Sequence, residues 1–149
     1  MIYSDTVRYA LMALAYLALH RDRLVKAEEI AKTQGIPKPF LSKILHELAK
    51  KEVVQSVKGP KGGFTLRVSP EKLSMWDVVV LMGEENKFHS CILMPEKCEV
   101  YEINPCVIHH KWEKLKKKIV DFLQSTTVAD LVSVEERHTQ NTSSPPKRC

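Results

Sequence analysis

The sequence predicts a mainly α-helical fold that carries one small β-hairpin and closes with a long amphipathic helix. Three observations support this. Apolar residues recur at helical spacing over three successive segments between Ser4 and Leu48. Two strand-like runs, residues 53–57 and 64–68, flank a turn containing three glycines and a proline. Apolar positions from Ile108 to Phe122 then step by 4, 3, 4 and 3.

Each element has its own local signals. Ser4 is the expected N-cap of a helix running to His20, with Val7, Ala10, Leu11, Leu14, Leu17 and Ala18 on one face. The second helix, Lys26 to Gln34, turns Ala27, Ile30 and Ala31 inward, and Gly35 is its left-handed C-cap. Pro37 and Pro39 mark the start of the third helix, where a missing N–H costs nothing. Phe40, Leu41, Ile44, Leu45 and Leu48 are its expected inner face, while Lys38, Ser42, Lys43, His46 and Glu47 point elsewhere. The hairpin turn is Lys58-Gly59-Pro60-Lys61-Gly62-Gly63. Pro70 opens a short segment, and Ser74 caps a helix from Met75 to Met82. A loop-rich stretch from Gly83 to Pro105 follows. The long helix spans Val107 to Gln124, and its Ile108, Trp112, Leu115, Ile119 and Phe122 form a heptad seam suited to packing along another helix. Lys111, Lys114, Lys116, Lys117 and Lys118 read as a solvated face. Thr127 caps a last short helix through Leu131, and Glu135 to Cys149 reads as a disordered tail.

Composition bounds the function. At 149 residues, 44% hydrophobic and 28% charged, the chain has enough apolar content for a packed core. Four cysteines are too few for a disulfide-dense secreted scaffold. The longest apolar run, Tyr9 to Leu19, is well short of the ~20 residues that span a bilayer. It also lacks the flanks of a signal peptide, since His20-Arg21-Asp22-Arg23 follows it. A cytoplasmic protein with no membrane partner is expected, its cysteines serving as thiols or metal ligands. The net charge of +5 is unevenly spread: residues 1–69 carry +6, residues 70–106 carry −4 and residues 107–149 carry +3. A basic N-terminal half suits a polyanion. The sequence shows no nucleophile–base pairing or paired carboxylates. The Gly59–Gly63 loop joins two strands rather than a strand and a helix, so no phosphate-binding loop is present and no enzyme is expected.

The chain order sharpens the polyanion reading. Helix, glycine-containing turn, helix and lysine/glycine hairpin is the order of a winged helix-turn-helix, expected here over residues 1–82. Ala31 is small where the two helices cross, and Ile36, Leu41 and Ile44 fall where the second must pack on the first. Gln34 departs from the apolar residue usual at its place. The third helix fits a major groove, with Lys38, Ser42 and Lys43 as base-edge candidates. The wing lays Lys58 and Lys61 against phosphate or minor groove. Double-stranded DNA is the expected partner.

At this point Ser4…Arg8-Tyr9-Ala10-Leu11, Ile30-Ala31, Ile36-Pro37…Phe40-Leu41…Lys43-Ile44-Leu45…Leu48, Gly59-Pro60…Gly62-Gly63-Phe64…Leu66, Asp77-Val78 and Thr127-Val128-Ala129-Asp130-Leu131 resemble the Rrf2 family of bacterial regulators, which includes IscR, NsrR and CymR. The resemblance covers about residues 1–132. It implies a homodimer built on the long helix, residues 107–132 being the dimerisation unit, with two winged domains reading a pseudo-palindromic operator.

The segment 83–106 is the expected cluster-binding loop. Cys91-x6-Cys98-x7-Cys106 is followed by Cys106-x2-His109-x2-Trp112. Three thiols and an imidazole equal the four protein ligands that a [2Fe-2S] cluster takes. Cys106 and His109 are three apart at a helix start and share a face there, where the helix field favours a thiolate. The Cys-x2-His-x2-Trp run resembles IscR members and implies their [2Fe-2S] cluster on Cys91, Cys98, Cys106 and His109. The cysteine intervals are one or two residues longer than the family's compact spacing. In [4Fe-4S] members an acidic ligand comes from the first helix of the other subunit. Arg8 stands at that place, which favours [2Fe-2S], with Asp5 one turn earlier. Zinc in a Cys3His site or a thiol–disulfide switch would use the same residues differently. His89 and His110 are spare imidazoles, and Cys149 is left out of the ligand set. The expected function is a transcriptional regulator tuned by an iron–sulfur cluster that senses redox state, nitric oxide or cluster supply.

Overall fold

A computed structural model describes residues 2–93 and 107–133. The elements are α1 (Asp5–Leu19), α2 (Ala27–Gln34), α3 (Lys38–Lys50), β1 (Val54–Val57), β2 (Gly63–Leu66), α4 (Met75–Leu81) and α5 (Val107–Ser125), with single 3₁₀ turns at Pro70–Lys72 and Glu85–Phe88. A last short helix covers 128–133. The fold is the mainly α architecture with one hairpin that the sequence predicts.

The α1 helix is the hub. Ser4 Oγ accepts from Thr6 N at 3.1 Å, and Asp5 places negative charge in the first turn, where the helix field favours it. Besides the expected stripe, Ala13, Ala15 and Tyr16 are buried, so α1 is covered on nearly every side. This accounts for its long apolar run. Among the described residues no helix is long and apolar enough to cross a membrane.

Between α2 and α3, Gly35 takes φ 64° and ψ 31°, and Ile36 N donates to Ala31 O at 3.0 Å. Leu41, Ile44, Leu45 and Leu48 are buried in the common core. Phe40 is a correction: it was expected on the inner face but is 57% exposed. Consecutive helical residues are 100° apart, so a ring next to Leu41 falls off the 41-44-45-48 stripe.

The hairpin pairs Val54 with Leu66 and Val57 with Gly63, antiparallel. Val25, in the connection between α1 and α2, adds a third partner: Val25 N donates to Phe64 O at 2.9 Å and Phe64 N to Val25 O at 2.8 Å. Two glycines make this geometry possible. A Cβ on Gly63 would lie 2.8 Å from Val25 O, and one on Gly62 would lie 2.0 Å from Val57 O.

A reciprocal capping box starts α4, with Asp77 N donating to Ser74 Oγ at 3.0 Å and Ser74 N to Asp77 Oδ2 at 2.8 Å. The chain then returns to this point after α5. Met75 N donates to Thr126 O and Val128 N to Leu73 O, both at 2.8 Å. Leu123 and Val128 are buried in the same core as α1. The end of α5 and the short helix therefore pack into the winged unit. Thr127 caps that helix as expected. Hydrogen bonds from the Thr127 backbone and hydroxyl hold the Asp130 carboxyl below its usual range. The expected tail from Glu135 onward lies outside the described residues.

Candidate DNA interface and cysteine site

Ser42 and Lys43 are exposed on α3, and Lys58 and Lys61 are exposed on the wing turn. Gly59 takes φ 106°, and Gly62 N closes the turn on Gly59 O at 2.9 Å. Lys26 Nζ reaches Pro60 O at 2.9 Å, which ties the wing to the start of α2. Sequence reasoning missed this tether, because a lysine at a helix start carries no signal for a carbonyl 34 residues away. Lys38 is also exposed, but its ammonium pairs with Glu28 of α2 and holds that carboxyl below its ordinary range. One of the three expected base-edge candidates is thus already engaged by a neighbouring carboxylate.

A second polar cluster sets the angle of α2 on α1. Glu29 Oε1 accepts from Tyr16 Oη at 2.8 Å, and Arg23 Nη1 donates to Glu29 Oε2 at 3.0 Å. Arg23's hydrogen bond outweighs partial burial and pushes the Glu29 carboxyl down to about 2. Burial, and then Glu29, push the Tyr16 phenol up. These side chains brace α2 against α1.

The segment leading to Cys91 is anchored at three places. Glu84, next to Gly83, is buried. Its Oε2 accepts from Ser4 N at 3.1 Å, its Oε1 accepts from Ser4 Oγ, and Lys87 Nζ lies 3.2 Å from Oε2. Burial alone would raise this carboxyl, but the Ser4 bonds prevail and hold it low. Phe88 is buried edge-to-face on Trp76 of α4, with ring centroids 5.2 Å apart. Trp112 Nε1 donates to Ser90 O at 3.0 Å. This last bond ties the residue before Cys91 to the first turns of α5, one turn beyond His109. Cys91 and His109 are both half-buried. Cys91 Sγ accepts from Leu93 N at 3.5 Å, and the His109 and His110 rings stand edge-to-face at 6.1 Å. Cys98, Cys106 and Cys149 lie outside the described residues. Among the described residues no three metal-capable side chains gather. Asp5, the acidic group of α1 nearest the Arg8 position, is paired with Arg8 at 3.0 Å.

The expected seam of α5 is divided. Trp112 and Ile119 are half-buried against their own chain, in line with the fully covered Leu123. Ile108, Leu115 and Phe122, spaced by seven, are 44%, 49% and 58% exposed. Lys116 corrects the solvated-face expectation: its side chain is buried, with the ammonium paired to Glu113. A lysine can cover apolar surface with its stem in this way.

The α2–turn–α3 pair, followed by a glycine-lysine wing, defines a winged helix-turn-helix fold. The chain belongs to the Rrf2 family: the family model described as an iron-dependent transcriptional regulator matches residues 3–134. A protein of Aquifex aeolicus (strain VF5), provisionally named an HTH-type transcriptional regulator, is 59% identical over 93% of this chain and 96% of its own length. The HTH-type transcriptional regulator IscR of Sodalis glossinidius (strain morsitans) is 34% identical over 87% of this chain and 77% of its own. The structure of CymR, described as the global cysteine regulator of B. subtilis, superposes with a TM-score of 0.72, covering 89% of this chain and 96% of that one at 22% identity. These relatives are regulators rather than enzymes.

Proposed function

We propose that the chain acts as a homodimeric, sequence-specific DNA-binding regulator whose affinity is set by an iron–sulfur cluster, [2Fe-2S] rather than [4Fe-4S], held by Cys91, Cys98, Cys106 and His109. The observation that carries the reading is the Trp112 Nε1–Ser90 O bond, which draws the Cys91 segment to the helix start that bears His109. The donor set is suitable, since three thiolates and an imidazole satisfy the two irons of such a cluster. When bound, the cluster supplies a core that oxidants, nitric oxide and iron shortage can dismantle.

The residues of this chain do the rest. Trp112 and Ser90 fix one end of the ligand segment against α5. Glu84 and Ser4 fix its other end against α1. A change in ligation thereby reaches both the helix proposed to pair the subunits and the hub of the winged domain. Ile108, Leu115 and Phe122 offer the outward apolar stripe for a second copy, with Trp112 and Ile119 at its inner margin. Two copies related by a twofold present two α3 helices to a pseudo-palindromic site. Ser42, Lys43, Lys58 and Lys61 make the contacts, and Lys38 joins them when it leaves Glu28. A differential stability of ~1.4 kcal/mol between ligated and unligated forms changes affinity tenfold.

The test is DNA affinity of anaerobically purified protein before and after iron chelation. At least a tenfold change is expected, abolished in Cys91→Ala. A colourless, iron-free preparation whose DNA binding ignores the chelator would overturn the sensing role. Zinc in place of iron would leave the DNA-reading role and remove the redox one.

A further inference from the structure

The first turn of α3 presents carbon where a reading helix usually presents polar groups. Pro39 has no N–H, and the N–H groups of Phe40 and Leu41 both turn back to Pro37 O at 3.1 Å. The Lys38 ammonium is held by Glu28. The Phe40 and Leu41 N–H groups and the Lys38 ammonium are thus engaged, while Pro39 is exposed and Phe40 is 57% exposed. Every other large apolar side chain of α3 is buried. Phe40 also lies three residues before Lys43, so the two are neighbours on the helix surface. An aromatic ring beside a lysine, at the tip of a helix of major-groove dimensions, faces one kind of apolar target. The thymine C5-methyl is the apolar group that base pairs display in that groove.

We propose that Phe40 is a specificity-determining residue that packs on a thymine methyl, next to the phosphate or base edge reached by Lys43. This rests on α3 being the reading helix. Phe40 then selects T·A by burying the methyl, beside the contact that Lys43 makes. The basic neighbour and the shortage of other apolar surface on α3 favour DNA over a protein partner at this ring.

The experiment selects a preferred duplex for the wild-type chain from a random library. Each thymine in it is then replaced, one at a time, by deoxyuridine, which lacks only the methyl. Affinities are read by fluorescence anisotropy. One position per half-site is expected to lose about fourfold, the equivalent of ~0.8 kcal/mol for one buried methyl. Phe40→Ala is expected to bind thymine and uracil duplexes equally there, with an unchanged melting temperature and sedimentation profile. Wild-type protein that binds its duplex yet ignores every deoxyuridine would overturn the assignment. A Phe40→Ala variant that keeps the discrimination, or that changes oligomeric state, would do the same. Failure of the wild type to select any duplex would instead overturn the DNA-reading role of α3 itself.

Discussion

The winged unit covers most of its apolar residues, and the α5 helix leaves one of its two stripes open. From α1 to α4, apolar stripes meet inside one chain: Val7, Leu14, Leu17, Ile30, Leu41, Leu45 and Val78 are fully covered. In α5 the same kind of stripe is split. Leu123 enters the shared core, while its neighbour Phe122 stands more than half exposed. The winged unit is complete within one chain. The outer stripe of α5, Ile108, Leu115 and Phe122, is apolar, spaced by seven and exposed.

Substitutions on adjacent residues separate the two stripes. Leu123→Ala is expected to destabilise the folded chain by about 2–5 kcal/mol in urea denaturation, as for other buried leucines. Phe122→Glu is expected to change subunit stability by no more than ~0.5 kcal/mol. In sedimentation, however, it should turn a dimer into a monomer. A stable dimer after Phe122→Glu, or a stable fold untouched by Leu123→Ala, would erase the distinction.

The α3 surface sharpens the contrast from the other side. Lys58→Ala and Lys61→Ala are each expected to weaken binding to all DNA sequences alike and to lower the salt slope by about one. Glu28→Gln releases Lys38 and is expected to act in the opposite direction, tightening non-specific binding and steepening the slope. An unchanged slope would show that Lys38 remains away from phosphate.

The smallest expected effect is on acid stability. Glu29 titrates near 2 when folded against an ordinary 4.5. Its folded pKa is depressed, so its contribution is present above the unfolded value and is lost as pH falls from about 5 toward 2. Glu29→Gln should flatten that part of the stability–pH curve. The effect is modest because the Arg23–Glu29 pair is partly exposed to solvent.

Local signals made most of the winged unit legible. Ser4, Gly35, Ser74 and Thr127 act where the sequence places them, because a cap depends on a few adjacent residues. Phe40 stands outside the core although five apolar residues in nine suggest a wide stripe, because α3 buries only four of them. The Val25–Phe64 bridge left no trace, since one pairing residue makes no β-run. The Tyr16–Glu29–Arg23 brace and the Glu84–Ser4 bonds are long-range polar contacts with no periodicity to betray them. The α5 heptad showed that a seam exists, but periodicity does not say whether its own chain or a partner fills it. Trp112 illustrates the limit: it lies on the seam, yet its indole nitrogen is committed to Ser90.

In the proposed function, the Cys91 segment and the start of α5 close on one inorganic centre. Its most direct test is iron and acid-labile sulfide analysis of oxygen-free protein, read with absorption and electron-paramagnetic-resonance spectra. Two irons and two sulfides per chain are expected, with the reduced signal altered by His109→Ala and lost in Cys91→Ala. Protein that carries no iron after anaerobic reconstitution, or an iron content indifferent to all four ligand substitutions, would contradict it.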